Sequence, residues 1–210
     1  MERKTSIKEA EMLFSKNFIG VEQLKSCSEE TGIKAPEFIP DIPYSIDDLK
    51  LKSDDYILML GSTQMTNGKP LSLNSLRTRF GLDPDKSEPC FYNQDWYLNE
   101  KFIHKTLENK WYLIRKTIFT ESRSINPDIL LKQYKFPSAI LCTVTFFLYW
   151  FIAGKRLWEY DFVWCEDLDH NGDRIYVGKY KDIDGINKNG FSVHRHLRLR
   201  DFYGCVDVDI

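Results

Sequence analysis

The densest run of oxygen ligands in the chain is Asp167-Leu168-Asp169-His170-Asn171-Gly172-Asp173. Short oxygen side chains at alternate positions, with a glycine at the bend, match the first half of a calcium-binding loop. The position that would carry a bidentate Glu in the second half is Gly178. The same run also reads as a plain hairpin turn, because Asn171-Gly172 between two apolar stretches is a strong tight-turn signal. Asp182, Asp184, Asn187 and Asn189 form a second oxygen-rich loop, open to the same two readings. The two loops together could share one ion; the expectation is no cofactor, with calcium as the one alternative.

A row of cations follows. His194, His196, Arg198 and Arg200 recur at every second position, so in a strand they share one face. Val193, Leu197 and Leu199 face the other way, with Arg195 as the exception. Such a row suits an anion, a phosphate or an acidic partner, or is simply a solvated face. A zinc site needs further ligands, and no Cys or His lies at a diagnostic spacing.

Catalytic patterns are scarce. There is no GxSxG, no HExxH and no Cys with a nearby His. The acids of Asp167–Asp173 with His194 or His196 are the one set that would serve a metal-dependent hydrolase or nuclease. Polar groups interleave aromatics at Tyr92-Asn93-Gln94-Asp95, a mixture that suits carbohydrate or peptide contacts.

These residues need a scaffold, and the composition supplies one. The chain has 210 residues, 42% hydrophobic and 14% aromatic, enough apolar area for a core. Lys and Arg total 29 against 31 Asp and Glu, so no whole-protein basic field for nucleic acid exists. Five widely spaced cysteines include no CxxC pair, and the odd count leaves one over in any full pairing. Free thiols in a reducing, cytoplasmic setting are the simpler reading. The N-terminus is charged and has no apolar signal-peptide stretch.

From Phe136 to Gly154 nineteen residues carry no charge. That reaches the lower limit for a membrane helix. Pro137, Ser138, Thr143 and Thr145 dilute its first half, and cations flank both ends. It reads as a buried central helix over Ser138–Ala153, with a membrane span as the alternative.

Ser6 and Glu9 make a capping-box pattern, and a second short helix covers Val21–Glu30 with Gly32 beyond it. Three prolines between Ala35 and Ser45 make an extended connector. This places a boundary between a helical arm with its connector (1–45) and an α+β domain (46–210). Strands are expected at Tyr56–Leu60, Trp111–Ile118, Tyr160–Glu166, Arg174–Tyr180, Phe191–Arg200 and within Asp201–Asp209. Further helices are expected at Ser72–Phe80, Trp96–Lys105 and after Asn126-Pro127. The loop Gly61–Pro70 lacks the GxxxxGK[ST] spacing of a phosphate cradle. Helices followed by short strands argue for α+β, ending in a twisted antiparallel sheet.

Four blocks carry a family likeness: Trp111–Lys116, Phe136–Leu157, Tyr160–Tyr180, and the ending from Gly190 to Val208. In this order the region from about 55 to 210 resembles bacterial and phage C-type-lectin-like domains, including the variable proteins of diversity-generating retroelements. Val163, Trp164, Cys165 and Glu166 stand where that family carries a Trp-Ser-Ser-like block, and Gly190-Phe191-Ser192 stands for its closing Gly-Phe-Arg. The resemblance implies a rigid scaffold that displays C-terminal loops, a closing strand paired with an early one, and optional calcium. Fold alone implies no chemistry. The expected role is non-catalytic binding of a protein or carbohydrate, without a membrane, through Asp167–Asp173, Asp182–Asn189 and His194–Arg200.

Overall fold

Ser6 caps the first helix, α1 (Ile7–Phe14), in the computed structural model, which describes residues 4–181, 189–195 and 198–209. Its hydroxyl accepts from the Glu9 amide, and the Glu9 carboxylate accepts from the Ser6 amide at 3.0 Å. The apolar side of α1 sends Ala10 and Phe14 into the core. The chain continues through β1 (Phe18–Ile19), α2 (Val21–Ser26) and α3 (Ser28–Thr31), and Gly32 ends α3 in the left-handed region. The Pro-rich connector then runs without regular structure. It is strapped down where Trp111 Nε1 donates to Pro40 O at 2.9 Å and Tyr44 OH to Asp209 O at 2.8 Å.

Two four-stranded sheets follow. The first has the order β1, β2 (Tyr56–Leu60), β3 (Trp111–Arg115), β8 (Val208–Asp209). Its pairs are antiparallel except β1 with β2. The second has the order β6 (Ser192–His194), β5 (Arg174–Gly178), β4 (Phe162–Leu168), β7 (Tyr203–Gly204). There β4 and β7 run parallel and the other pairs antiparallel. Helices α4 (Ile46–Lys52), α5 (Leu73–Phe80), α6 (Pro127–Leu130) and α7 (Ala139–Ala153) complete the mixed α+β architecture.

Helix α7 is the interior pillar. Every residue from Ala139 to Tyr149 is buried. Its two threonines return their hydroxyls to the helix, Thr143 to Ala139 O and Thr145 to Leu141 O, each at 2.7 Å, so no polar atom is stranded. Phe146 and Phe147 pack on Phe191, and Phe147 stacks on Phe80 at 4.1 Å. Among the described residues, no helix is long and apolar enough to cross a membrane. Residues of α1, β1 and both sheets share the core around α7.

Alternation divides the second sheet into two faces. Val163, Cys165, Ile175, Val177 and Val193 join the α7 core. Phe162, Trp164, Tyr176 and Tyr203 point the other way, into a separate aromatic cluster partly covered by Leu130 and Phe136.

Several elements differ from the sequence expectation. Trp96–Lys105 is not a helix: two turns lead to a 3-10 helix at Lys101–His104. Adjacent Trp96 and Tyr97 both turn toward the protein, with Trp96 Nε1 bound to Val193 O at 3.1 Å, and tertiary contact overrides the helical period. β3 stops at Arg115, and the expected strand Phe191–Arg200 ends at His194. Asp201–Asp209 holds two strands, β7 and β8, in different sheets. The closing sheet is therefore mostly, not wholly, antiparallel, and a second sheet forms from the first half of the chain plus β8.

Candidate functional site: an aromatic and cationic recess

The second sheet's outer face is where predicted site residues meet a cavity. Tyr176 of β5 and His194 of β6 are register partners, and their rings stack at 5.7 Å and 18°. Phe162 of β4 meets the His194 ring edge-on at 5.2 Å. β7 brings Tyr203 beside Tyr176 at 4.8 Å. Ser192 shares the face of His194, two residues away.

Two cations close the rim. Lys179 sits just past β5 with φ 40, held by its amide, which donates to Trp158 O at 2.8 Å and Asp161 O at 2.7 Å. Its ammonium lies 4.8 Å from the Phe202 ring centre, and the exposed Arg200 guanidinium lies 5.8 Å from the same ring. Tyr92, Phe162, Lys179, Ser192, His194, Arg200, Phe202 and Tyr203 enclose about 260 Å³. None of these is a carboxylate. Burial, aided by the Lys179 charge, pushes the His194 pKa down to about 4, so the ring is neutral at pH 7. Fixed positive charge at the recess rim is supplied by Arg200, not by the histidine.

Gly190 makes this geometry possible. It has φ 138, and a β-carbon there would overlap the backbone of Tyr92 and Phe91. That approach lets Tyr92 N donate to Phe191 O at 3.0 Å and Phe191 N to Cys90 O at 2.9 Å, which brings Tyr92 to the rim.

The hairpin acids are used internally. Asp167 is buried; one oxygen accepts from Lys105 Nζ and the other from the Ala139 amide at the start of α7, both at 2.6 Å. Asp169 is buried too. Its Oδ1 accepts from the Asn171 and Asp173 amides at 2.8 Å, and its Oδ2 meets Arg195 at 2.5 Å. Burial would raise the Asp169 pKa, but Arg195 and the two amides outweigh it and hold the carboxyl below its ordinary value. Glu100, also buried, accepts from the His170 amide at 3.0 Å and pairs with His170 Nδ1 at 2.5 Å. Glu100, Asp169 and His170 are close enough to hold one metal ion. Arg195, 3.7 Å from Glu100, already supplies positive charge there.

The structure thus brings His194 and Arg200 together and leaves other predicted residues elsewhere. Asp167 lies in β4, and Asp169, exposed Asn171 and half-buried Asp173 belong to the hairpin turn. Asn189 is half-buried beside Gly190, and Arg198 is exposed. Asp182, Asp184, Asn187 and His196 lie outside the described residues. Among the described residues the hairpin acids and His194 are not joined: Asp169 binds Arg195 on one side of the β6 segment, while His194 faces the recess on the other. Sequence reasoning singled out Tyr92 for ligand contacts but missed Lys179, Ser192, Phe202 and Tyr203. Alternation along Phe162-Val163-Trp164 and Ile175-Tyr176-Val177 was the available signal for an aromatic outer face.

No protein-family model, curated protein or solved structure matches the chain.

Proposed function

We propose that the chain is a non-catalytic binding module whose site is the recess on the second sheet. The observation that carries this reading is the union of the Arg200 guanidinium with aromatic walls and no carboxylate among the described lining residues. Such a lining suits a small ligand, or a protruding group of a larger partner, that joins an anion to a flat ring. Arg200 holds the anion, Phe162, Phe202 and Tyr203 pack on the ring, and neutral His194 and Ser192 orient it by hydrogen bonds.

We also place the scaffold with the C-type-lectin-like domains. The helix that opens on Pro127, the hairpin β4–β5 and the pairing of closing strand β8 with β3 support that placement. A rigid sheet that presents a loop-rimmed recess is how such a scaffold would display a ligand site. Five free, buried thiols suit a reducing compartment, and we assign the chain to the cytoplasm.

Calorimetric titration with phenyl phosphate tests the site. Saturable binding, weakened about tenfold or more by Arg200→Gln, is expected from loss of one charged hydrogen-bonding group. Equal binding by wild type and by an Arg200→Gln, Lys179→Gln double variant would remove the recess from consideration. Sequencing many related copies from one genome tests the family placement: substitutions should gather at the recess rim, and an even spread would contradict it.

A further inference from the structure

A second cavity, about 580 Å³, lies between the loop that follows β2 and the first turns of α5. It shares no lining residue with the recess. Like the recess, it has no Asp or Glu among its described lining residues, although acids outnumber bases in the chain.

Its positive charge is not cancelled. The exposed Lys69 ammonium has no ion pair or hydrogen bond among the described residues. Arg79 is fixed, but by neutral groups: its guanidinium donates to the backbone oxygens of Glu29 and Glu30, the latter at 3.1 Å, where α3 ends. Those bonds orient the guanidinium and leave its charge uncompensated. Exposed His104 adds a third basic side chain. The α5 N-terminus, capped by Ser72, adds its positive end to the same wall.

The remaining wall decides the ligand class. Thr66, Asn67, Asn74 and Thr78 offer hydroxyls and amides, while Met65 and Pro70 are the large apolar members. Among the described residues the Asn74 side chain carries no hydrogen bond, and Thr78 spends only its proton, on Asn74 O at 3.0 Å. Among the described residues no aromatic ring on which a base could stack lines the cavity.

From this combination we infer that the cavity between the 61–70 loop and α5 binds a phosphorylated, polyhydroxylated small molecule of the sugar phosphate class. Lys69 and Arg79 take the phosphate. The amides and hydroxyls of Asn67, Asn74, Thr66 and Thr78 take the sugar hydroxyls. The loop does this without a GxxxxGK[ST] cradle, because its charge comes from side chains on two separate elements.

Titration of the full chain with glucose 6-phosphate, inorganic phosphate and glucose tests the inference. Glucose 6-phosphate is expected to bind saturably and more tightly than inorganic phosphate, and glucose not to bind measurably. Lys69→Ala, an exposed change that leaves the core intact, should weaken glucose 6-phosphate about tenfold or more. Asn74→Ala should weaken glucose 6-phosphate but not inorganic phosphate. Lys132→Ala, an exposed change outside both cavities, should leave this binding unchanged. Absence of binding, or equal binding by wild type and Lys69→Ala, overturns the assignment. Equal affinity for inorganic phosphate and glucose 6-phosphate overturns the sugar phosphate class.

Discussion

Tyr176 and His194, partners across β5 and β6, stack with their ring centres 5.7 Å apart. His194 of this pair lines the recess, and burial, aided by the Lys179 charge, holds its ring in the neutral form. In the unfolded chain the imidazole titrates near 6.5, and in the fold near 4. Between those values the unfolded state binds a proton that the folded state refuses. The His194 contribution is therefore complete above pH 6.5 and is lost as the pH falls toward 4, with a ceiling of roughly 3 kcal/mol. His194→Gln should flatten the fall in urea-unfolding stability between pH 6.5 and 4, and an unchanged slope would contradict the buried neutral ring.

Arg195 sits between two buried carboxylates, with Asp169 at 2.5 Å and Glu100 at 3.7 Å, and its guanidinium lies 4.6 Å from the Trp96 ring centre. Removing it leaves those acids short of positive charge in a dry setting. Arg195→Met should cost about 3 kcal/mol or more, because the loss of one partner strands buried charge. Arg195→Lys should cost less. Chemical denaturation curves of the two variants check this order.

Asp167 has two partners of unequal weight. Lys105 is half exposed and worth about 1 kcal/mol or less, as surface pairs are. The Ala139 amide is buried at the start of α7, so its charged acceptor matters more. Asp167→Ala should cost about 2–3 kcal/mol and Lys105→Ala far less. Similar losses for both would show that the ion pair, not the helix start, is what Asp167 secures.

All five thiols are free and buried, and burial raises the pKa values of Cys27, Cys90, Cys165 and Cys205. Native protein should react slowly with a thiol-disulfide reagent, and five equivalents should appear at once in denaturant. Fast labelling of the native chain would contradict the burial.

What local chemistry specifies was readable. Ser138, the uncharged run and Gly154 delimit α7, and Asn171-Gly172 fixes the β4–β5 hairpin. What depends on distant partners was not. β7 joins β4 in parallel across about forty residues, so nothing local marks Tyr203 as a neighbour of Phe162. The cationic row broke at His194, where the next residue, Arg195, turns to Asp169 instead of continuing a strand. Lys179 reaches the recess only through a positive φ that its type does not announce. The hairpin acids looked like ligands because a calcium loop and an Asp-rich turn share composition; their oxygens instead receive α7, the turn amides, Lys105 and Arg195.

The most direct measurement is an NMR titration of histidine-labelled protein with phenyl phosphate, with the His194 signal assigned through His194→Gln. The recess should move that signal saturably while His170, on the Glu100 side of the hairpin, stays fixed. A His194 signal that does not move at saturating phenyl phosphate would contradict the recess as a ligand site.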